Sequence, residues 1–231
     1  MPDQSKYQVI DGGELNRAGM RALIDQKTKP LWFAGVDVSE ADLSRLDLSG
    51  SVWDQCLAFD TDFSSAALEA STWIRCRAGQ ALFRSARLDE STFSGCDLNN
   101  SKWGHARLSA VAMDNCKLTG ADFTGASTLD LVMRECLLVS ATLTGMSFRK
   151  ATLENLDFSD ADLTDVDFRQ AVFQGGRLGN ARIRGAKFDK ADLRGAALRG
   201  FTLDDAKQLK GAIISEAQAA SLLSDLGLTV A

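Results

Sequence analysis

Large apolar residues recur at every fifth position over most of this chain, from Phe33 to Leu203. A second set, two positions before each of them, stays small or apolar as far as Ala206. Three members of the first set are small or polar: Ala58, Ala78 and Thr128. A period of five matches neither the 3.6 of a helix nor the 2 of a strand. The pattern therefore predicts a fold built from repeated short units.

The repeat fills residues 31–205 as 35 consecutive units of five with no insertion. Units such as residues 41–45 (ADLSR), 121–125 (ADFTG), 161–165 (ADLTD) and 191–195 (ADLRG) resemble the pentapeptide-repeat family. The resemblance covers about three quarters of the chain and implies an all-β solenoid. In that fold, a right-handed quadrilateral parallel β-helix, four units form one square coil.

Elementary packing agrees with this implication. A five-residue unit that turns a right angle places one large and one small side chain inside, so the coils can stack at the strand spacing of about 4.8 Å. The 35 units make about 8.75 coils, or roughly 42 Å of stacked coils. We expect three domains: a helical cap over residues 1–30, the β-helix over 31–205, and a C-terminal helix and tail over 206–231.

The C-terminal segment predicts a helix that starts at Ser215, with Gln218 three residues later as in a capping box. Gly227 would end this helix, and residues 228–230 would form a short strand. The segment is similar to the C-terminal helix through which quinolone-resistance pentapeptide-repeat proteins dimerise. That similarity suggests a homodimer through the apolar stripe of the helix: Ala219, Leu222, Leu223 and Leu226.

Three kinds of residue suggest chemistry, and we interpret each as structural. The five cysteines are spaced 20 residues apart, which puts them on one inner column and predicts buried thiols rather than disulfides or a zinc site. They are Cys56, Cys76, Cys96, Cys116 and Cys136. Aspartates that precede the central residue suit tight corners, where they accept backbone N–H groups. The single histidine, His105, is at an outward position without an evident nucleophile.

No phosphate loop, dinucleotide fingerprint, zinc spacing or nucleophile elbow occurs in the sequence, so we expect no enzyme, no cofactor and no metal. The net charge of −5 and the pI near 5.0 disfavour direct nucleic-acid binding. No apolar run approaches the roughly 20 residues of a membrane span. The polar N-terminus predicts a cytoplasmic protein, with a specialised secretion route left open.

Charge changes sign along the repeat. Residues 31–100 carry 11 acidic and 5 basic residues, and a later acidic run is followed by a basic one over residues 169–199. We therefore expect an interaction surface among the outward charges. The candidates are Asp37, Glu40, Asp42, Asp47, Asp54, Asp60, Asp62, Asp157, Asp162, Arg182 and Arg184.

Two functions fit a rigid charged solenoid. The resemblance to the quinolone-resistance branch implies a bacterial DNA mimic that binds DNA gyrase or topoisomerase IV. The alternative is a bacterial effector or secretion-associated scaffold that binds another protein. Both are non-enzymatic protein–protein interaction modules.

Overall fold

The computed structural model describes residues 3–201 and 203–224, except for the side chains of residues 203 and 204. It contains two compact units, Met1–Val132 and Met133–Ala231. Each unit is a quadrilateral parallel β-helix in which the same backbone pattern returns every 20 residues. This confirms the fold class predicted from the period of five.

Each coil has four sides of five residues. The first side begins at residue 31, the second at 36, the third at 41 and the fourth at 46, and each recurs 20 residues later. Regular strands form on the first side. In unit 1 they are β1 (Gln8–Asp11), β2 (Leu31–Ala34), β3 (Val52–Asp54), β4 (Thr72–Ile74), β5 (Thr92–Ser94) and β6 (Ala112–Asp114).

Neighbouring strands of unit 1 pair in parallel. From β2 onward each residue lies opposite the residue 20 positions later, as in Trp53 and Trp73, whereas β1 residues lie opposite residues 23 positions later in β2. The other three sides are joined in the same way by single bridges, such as the 2.8 Å hydrogen bond from Leu48 N to Ala67 O. The strand β7 (Val132–Arg134) spans the unit boundary. Unit 2 contains β8 (Thr152–Glu154) and β9 (Val172–Gln174), which pair with each other in parallel.

From residue 31 to residue 200 the central residues of the five-residue units point inward and form the core. Aromatic residues of adjacent coils stack: the rings of Trp53 and Trp73 lie 4.8 Å apart at 5°, and those of Phe63 and Phe83 lie 5.2 Å apart at 5°. Stacked and edge-on aromatic pairs add to the hydrophobic stabilisation of the buried area. The aromatic columns are therefore packing elements, as predicted. Thr128, at a central position, is only partly buried.

Three core tryptophans are each paired with a serine two residues earlier. The indole N–H of Trp103 donates to Ser101 Oγ at 2.7 Å, and Ser101 Oγ donates to Leu98 O at 2.6 Å. Trp53 donates to Ser51 in the same way, and Ser51 donates to Leu48 O. Trp73 donates to Ser71 Oγ, whose hydroxyl donates to Ser91 Oγ instead of a carbonyl. A buried N–H without an acceptor is costly, so the small inward position is polar where the central residue is tryptophan.

Every corner of the coil uses a left-handed backbone conformation. The fifth residue of each unit from Gly35 to Lys190 has a positive φ, and 24 of these residues are not glycine. This conformation costs about 1 kcal/mol or more for a residue with a Cβ. The hydrogen bonds between coils must therefore hold these corners in place. The sequence predicts the aspartates as corner residues but does not reveal the left-handed residue three positions later.

The N-terminal segment closes the first coil with a strand as well as a helix. A 3₁₀ turn (Gln4–Lys6) precedes β1, which pairs with β2 and adds a strand to the helical cap expected from the sequence. Helix α1 (Arg17–Gln26) follows, with Asn16 as its N-cap. The guanidinium of Arg17 donates to Asp42 O at 2.8 Å and to Ser44 O at 3.0 Å, which fastens this helix to the first coil.

The C-terminal segment contains two helices, α2 (Leu203–Gln208) and α3 (Glu216–Ser224). The predicted capping box is confirmed: Ser215 N donates to Gln218 Oε1 at 2.7 Å, and Gln218 N donates to Ser215 Oγ at 3.2 Å. The Gln218 side chain also donates to Leu193 O and Ala196 O, both at 2.7 Å. It thereby satisfies carbonyls of the last coil. The predicted helix end at Gly227 and the strand at 228–230 lie outside the described residues.

The tryptophan–serine pairing predicts that the loss of stability caused by Ser101→Ala depends on the residue at position 103. Ser101→Ala should lower the free energy of unfolding by about 1–3 kcal/mol, because the buried indole N–H of Trp103 loses its acceptor. In a Trp103→Phe background the same substitution should cost less than about 1 kcal/mol. Chemical denaturation of the four proteins measures both values. An equal cost in the two backgrounds would contradict the pairing.

Candidate interaction surface

The aspartates before the central residues are corner elements. In ten units the aspartate Oδ1 accepts the N–H of the residue two positions later, at 2.8–3.3 Å. This confirms the structural interpretation of these carboxylates. The ten are Asp37, Asp42, Asp47, Asp62, Asp97, Asp122, Asp157, Asp162, Asp167 and Asp192.

Local hydrogen bonds keep several of these carboxylates ionised. The Ser44 side chain and then its backbone N–H hold the pKa of Asp42 below its ordinary value. The Arg169 side chain lowers the pKa of Asp167, and the Arg194 side chain lowers that of Asp192. Donors aimed at a carboxylate favour its charged form. These groups therefore remain anionic at neutral pH and well below it, and none is suited to act as an acid or base near neutral pH.

The structure distributes the predicted interaction residues over all four sides of the coils. The first side carries Asp54, and the fourth carries Asp47. The second side carries Asp37, Glu40, Asp60 and Asp157, and the third carries Asp42, Asp62, Asp162, Arg182 and Arg184. Asp42 and Asp62 lie opposite each other in adjacent coils. The set therefore does not form a single patch, and its role in binding stays a prediction.

Ion pairs engage several of the predicted carboxylates. Asp42 pairs with Arg17 at 2.9 Å, Asp54 with Arg75 at 3.3 Å, Asp157 with Arg177 at 3.1 Å, and Asp162 with Arg182 at 3.1 Å.

Two of the predicted carboxylates are exposed at left-handed corners: Glu40 and Asp60. The only hydrogen bond found for either side chain within the described residues joins Asp60 Oδ2 to Gln80 Nε2 at 3.3 Å. Both carboxylates lie on the second side of unit 1. They are the predicted anions that are most available to a partner.

The acidic excess of the chain is confined to unit 1. Residues 1–132 contain 18 acidic and 13 basic residues, whereas residues 133–231 contain 13 of each. The negative potential that a partner would meet is therefore a property of unit 1.

Exposed cations on the fourth side of unit 2 are absent from the predicted interaction set. They are Arg149, Lys150, Lys187 and Lys190. Two of them belong to the basic run noted in the sequence. The sequence could have shown that these four cations share one side, because residues on the same side recur every 20 positions.

Four cysteines, Cys56, Cys76, Cys96 and Cys116, form an inner column of unit 1, as predicted, and Cys136 occupies the same inward position of a coil in unit 2. All five are buried and free of disulfides. The thiol of Cys76 donates to Trp53 O at 3.2 Å, and burial raises its pKa well above the ordinary value. Such a thiol is a packing group rather than a nucleophile.

Across the described part of the chain, no three His, Cys, Asp or Glu residues are grouped to hold a metal ion, and no helix is long and apolar enough to cross a membrane.

Helix α3 presents a partly covered apolar face. Ala219 and Leu222 are half-buried and Leu223 is exposed, while no residue of this helix is fully buried. Leu222 lines a shallow groove of about 280 Å³ between the helix and the last coil, next to Ala196 and Leu198. The fourth predicted dimer residue, Leu226, lies outside the described residues.

This architecture is similar to that of known pentapeptide-repeat proteins. A family model described as a pentapeptide repeat region matches residues 66–143 and 131–207. A trypsin-treated form of QnrB1, a plasmid-mediated fluoroquinolone resistance protein, has a TM-score of 0.76 at 23% identity, over 86% of this chain and 99% of that chain. Full-length QnrB1 has a TM-score of 0.72 at 20% identity, over 96% and 100%. At these identities the likeness concerns the fold. No curated protein sequence matches the chain.

Proposed function

Because the chain belongs to the pentapeptide-repeat family, we propose that it is a non-enzymatic module that binds a protein partner through its charged outer surface. One observation carries this proposal. The carboxylates that could do chemistry are committed to corners and ion pairs, whereas exposed charges remain on the outside of both units. Solenoids of this kind present extended, rigid surfaces to partners.

The partner that the acidic unit best fits is a type II topoisomerase, DNA gyrase or topoisomerase IV, with unit 1 acting as a DNA mimic. A DNA mimic needs an excess of exposed negative charge, because proteins that bind DNA present basic surfaces to its phosphates. Unit 1 supplies that excess. QnrB1, which shares this fold, is described as a fluoroquinolone resistance protein, so the test of this proposal includes a quinolone.

A bacterial effector or secretion-associated scaffold is the second candidate. The exposed cations on the fourth side of unit 2 favour it, since a DNA mimic has no use for a basic face. Such a scaffold would bind a protein other than a DNA-binding enzyme.

The topoisomerase proposal predicts an effect on supercoiling. Added to purified gyrase, the protein should inhibit supercoiling or protect the enzyme from a quinolone. The variant Glu40→Ser/Asp60→Ser should act several-fold more weakly, because each exposed charge contributes about 0.5 kcal/mol. Titration of each protein into a plasmid supercoiling assay, with and without quinolone, measures both effects.

The matched control is Asp160→Ser/Asp165→Ser, which removes two corner carboxylates from unit 2. It should act like the unsubstituted protein. If the unsubstituted protein neither inhibits nor protects gyrase or topoisomerase IV, the topoisomerase proposal is contradicted and the scaffold remains as the candidate function.

We also propose a homodimer through the exposed face of α3. The face is apolar, and nothing among the described residues buries it completely. A second copy of the helix could cover Leu223 and the neighbouring Leu222. The chain belongs to the pentapeptide-repeat family whether or not it forms this dimer.

Leu223→Glu should raise the dissociation constant of this dimer by at least about 100-fold, since it removes a leucine that the second copy would cover and places a charge in the interface. Ser224→Glu adds the same charge to an exposed position of the helix and should have little effect. Sedimentation velocity measures the mass of each protein. A Leu223→Glu protein that remains dimeric would contradict the role of α3.

A further inference from the structure

The fourth side of unit 2 is a basic face. We define it by the charged residues at 146–150, 166–170 and 186–190, which comprise five cations and two carboxylates: Arg149, Lys150, Arg169, Lys187, Lys190, Asp167 and Asp189. Asp167 is already paired with Arg169 at 2.6 Å. Within the described part of the chain, Arg149, Lys150, Lys187 and Lys190 form no ion pair. Arg149 and Arg169 occupy equivalent positions of adjacent coils and repel one another. Lys187 lies opposite Asp167, but that carboxylate is already paired with Arg169. The face therefore keeps a net positive charge.

The fourth side of unit 1 has the opposite charge. This acidic face comprises the charged residues between 46 and 130 on that side, five carboxylates and two cations: Asp47, Glu69, Asp89, Glu90, Asp130, Arg87 and Arg107. Arg87 pairs with Glu69, and Arg107 pairs with Asp89 at 3.1 Å. The net formal charge is therefore −3 on the acidic face and +3 on the basic face.

The acidic face also carries an exposed apolar side chain. Leu129 has 68% of its surface exposed, the largest fraction among the large hydrophobic residues that the structure describes. Apolar anchors surrounded by charged residues are typical of binding interfaces. The aliphatic stems of lysines can cover such a residue while their ammonium groups stay at the rim.

The two faces share one spacing. Backbone hydrogen bonds join adjacent coils in both units, for example Leu68 N to Arg87 O at 2.7 Å and Phe168 N to Lys187 O at 2.8 Å. Charges on both faces therefore recur at the strand spacing of about 4.8 Å. Charges from one face can lie opposite those of the other over several coils without a change of register.

From this complementarity we propose that the basic face of unit 2 binds the acidic face of unit 1 in a second copy of the chain. The matched net charges and the common spacing select this occupant over a nucleic acid, which would also meet the acidic excess of unit 1. The association involves the outer faces of the coils. It is separate from the proposed α3 dimer and does not depend on the topoisomerase proposal.

The test uses reciprocal charge reversals at exposed corners. Lys150→Glu/Lys190→Glu changes the basic face, and Glu90→Lys/Asp130→Lys changes the acidic face. All four residues are exposed and left-handed, and none is in an ion pair within the described residues. The substitutions therefore leave the core and the coil-to-coil hydrogen bonds intact, which far-ultraviolet circular dichroism checks.

Sedimentation equilibrium of the full-length protein should show self-association that weakens about tenfold between 0.1 M and 1 M salt, where the screening length falls from about 10 Å to about 3 Å. Each charge-reversed variant alone should lose this salt-dependent self-association. An equimolar mixture of the two should recover it, because the intact acidic face of one variant meets the intact basic face of the other.

Two controls separate this association from other contacts. Ser65→Glu/Ser85→Glu adds negative corners on the third side and should associate like the unsubstituted protein. Leu223→Glu should leave the salt-dependent step unchanged even if it removes the α3 dimer.

A salt-independent mass, or a mixture that fails to associate, would overturn the proposal. Binding of a DNA duplex that Lys150→Glu/Lys190→Glu abolishes, in a protein without salt-dependent self-association, would assign the basic face to nucleic acid instead.

Discussion

The backbone hydrogen bonds between adjacent coils, which place residues 20 positions apart opposite each other, are the constraint on which the rest of this structure depends. They fix the five-residue unit, because four units must close a coil before the chain can pair with itself in register. They also hold the left-handed corners, which would be unfavourable for most of these residues in isolation. A coil that pays this conformational cost gains a continuous inner column and a paired backbone on every side.

The sequence predicts this architecture well because the constraint repeats at every unit. A period of five with a large and a small inward residue has no helical or ordinary strand equivalent, so the fold class and the buried cysteines follow from counting. The serines beneath Trp53, Trp73 and Trp103 fit the same small position, but their role as indole acceptors emerges only from the side-chain geometry. Strand β1 was missed because it lies outside the repeat and is recognised only by its pairing with β2.

The interaction surface was less predictable for a physical reason. A carboxylate in the sequence can serve a corner, an ion pair or a partner, and these roles are distinguished by its neighbours 20 residues away and by the local backbone. Asp157 and Asp162 were plausible binding residues in the sequence, yet each bonds a nearby N–H and an arginine of the next coil. Glu40 and Asp60, at exposed corners, differ from them in position within the unit. The proposed binding function therefore rests on the residues that the repeat does not use.

The most direct test of this account is to change the length of the repeat. Duplicating residues 81–100 adds one complete coil and keeps every later residue on its side, whereas inserting one alanine after Asn100 shifts every later inward residue. Denaturant unfolding should give the duplicated protein a midpoint close to or above that of the unaltered chain, and a much lower midpoint for the single insertion. Equal destabilisation by the two insertions would contradict the 20-residue register as the source of the fold.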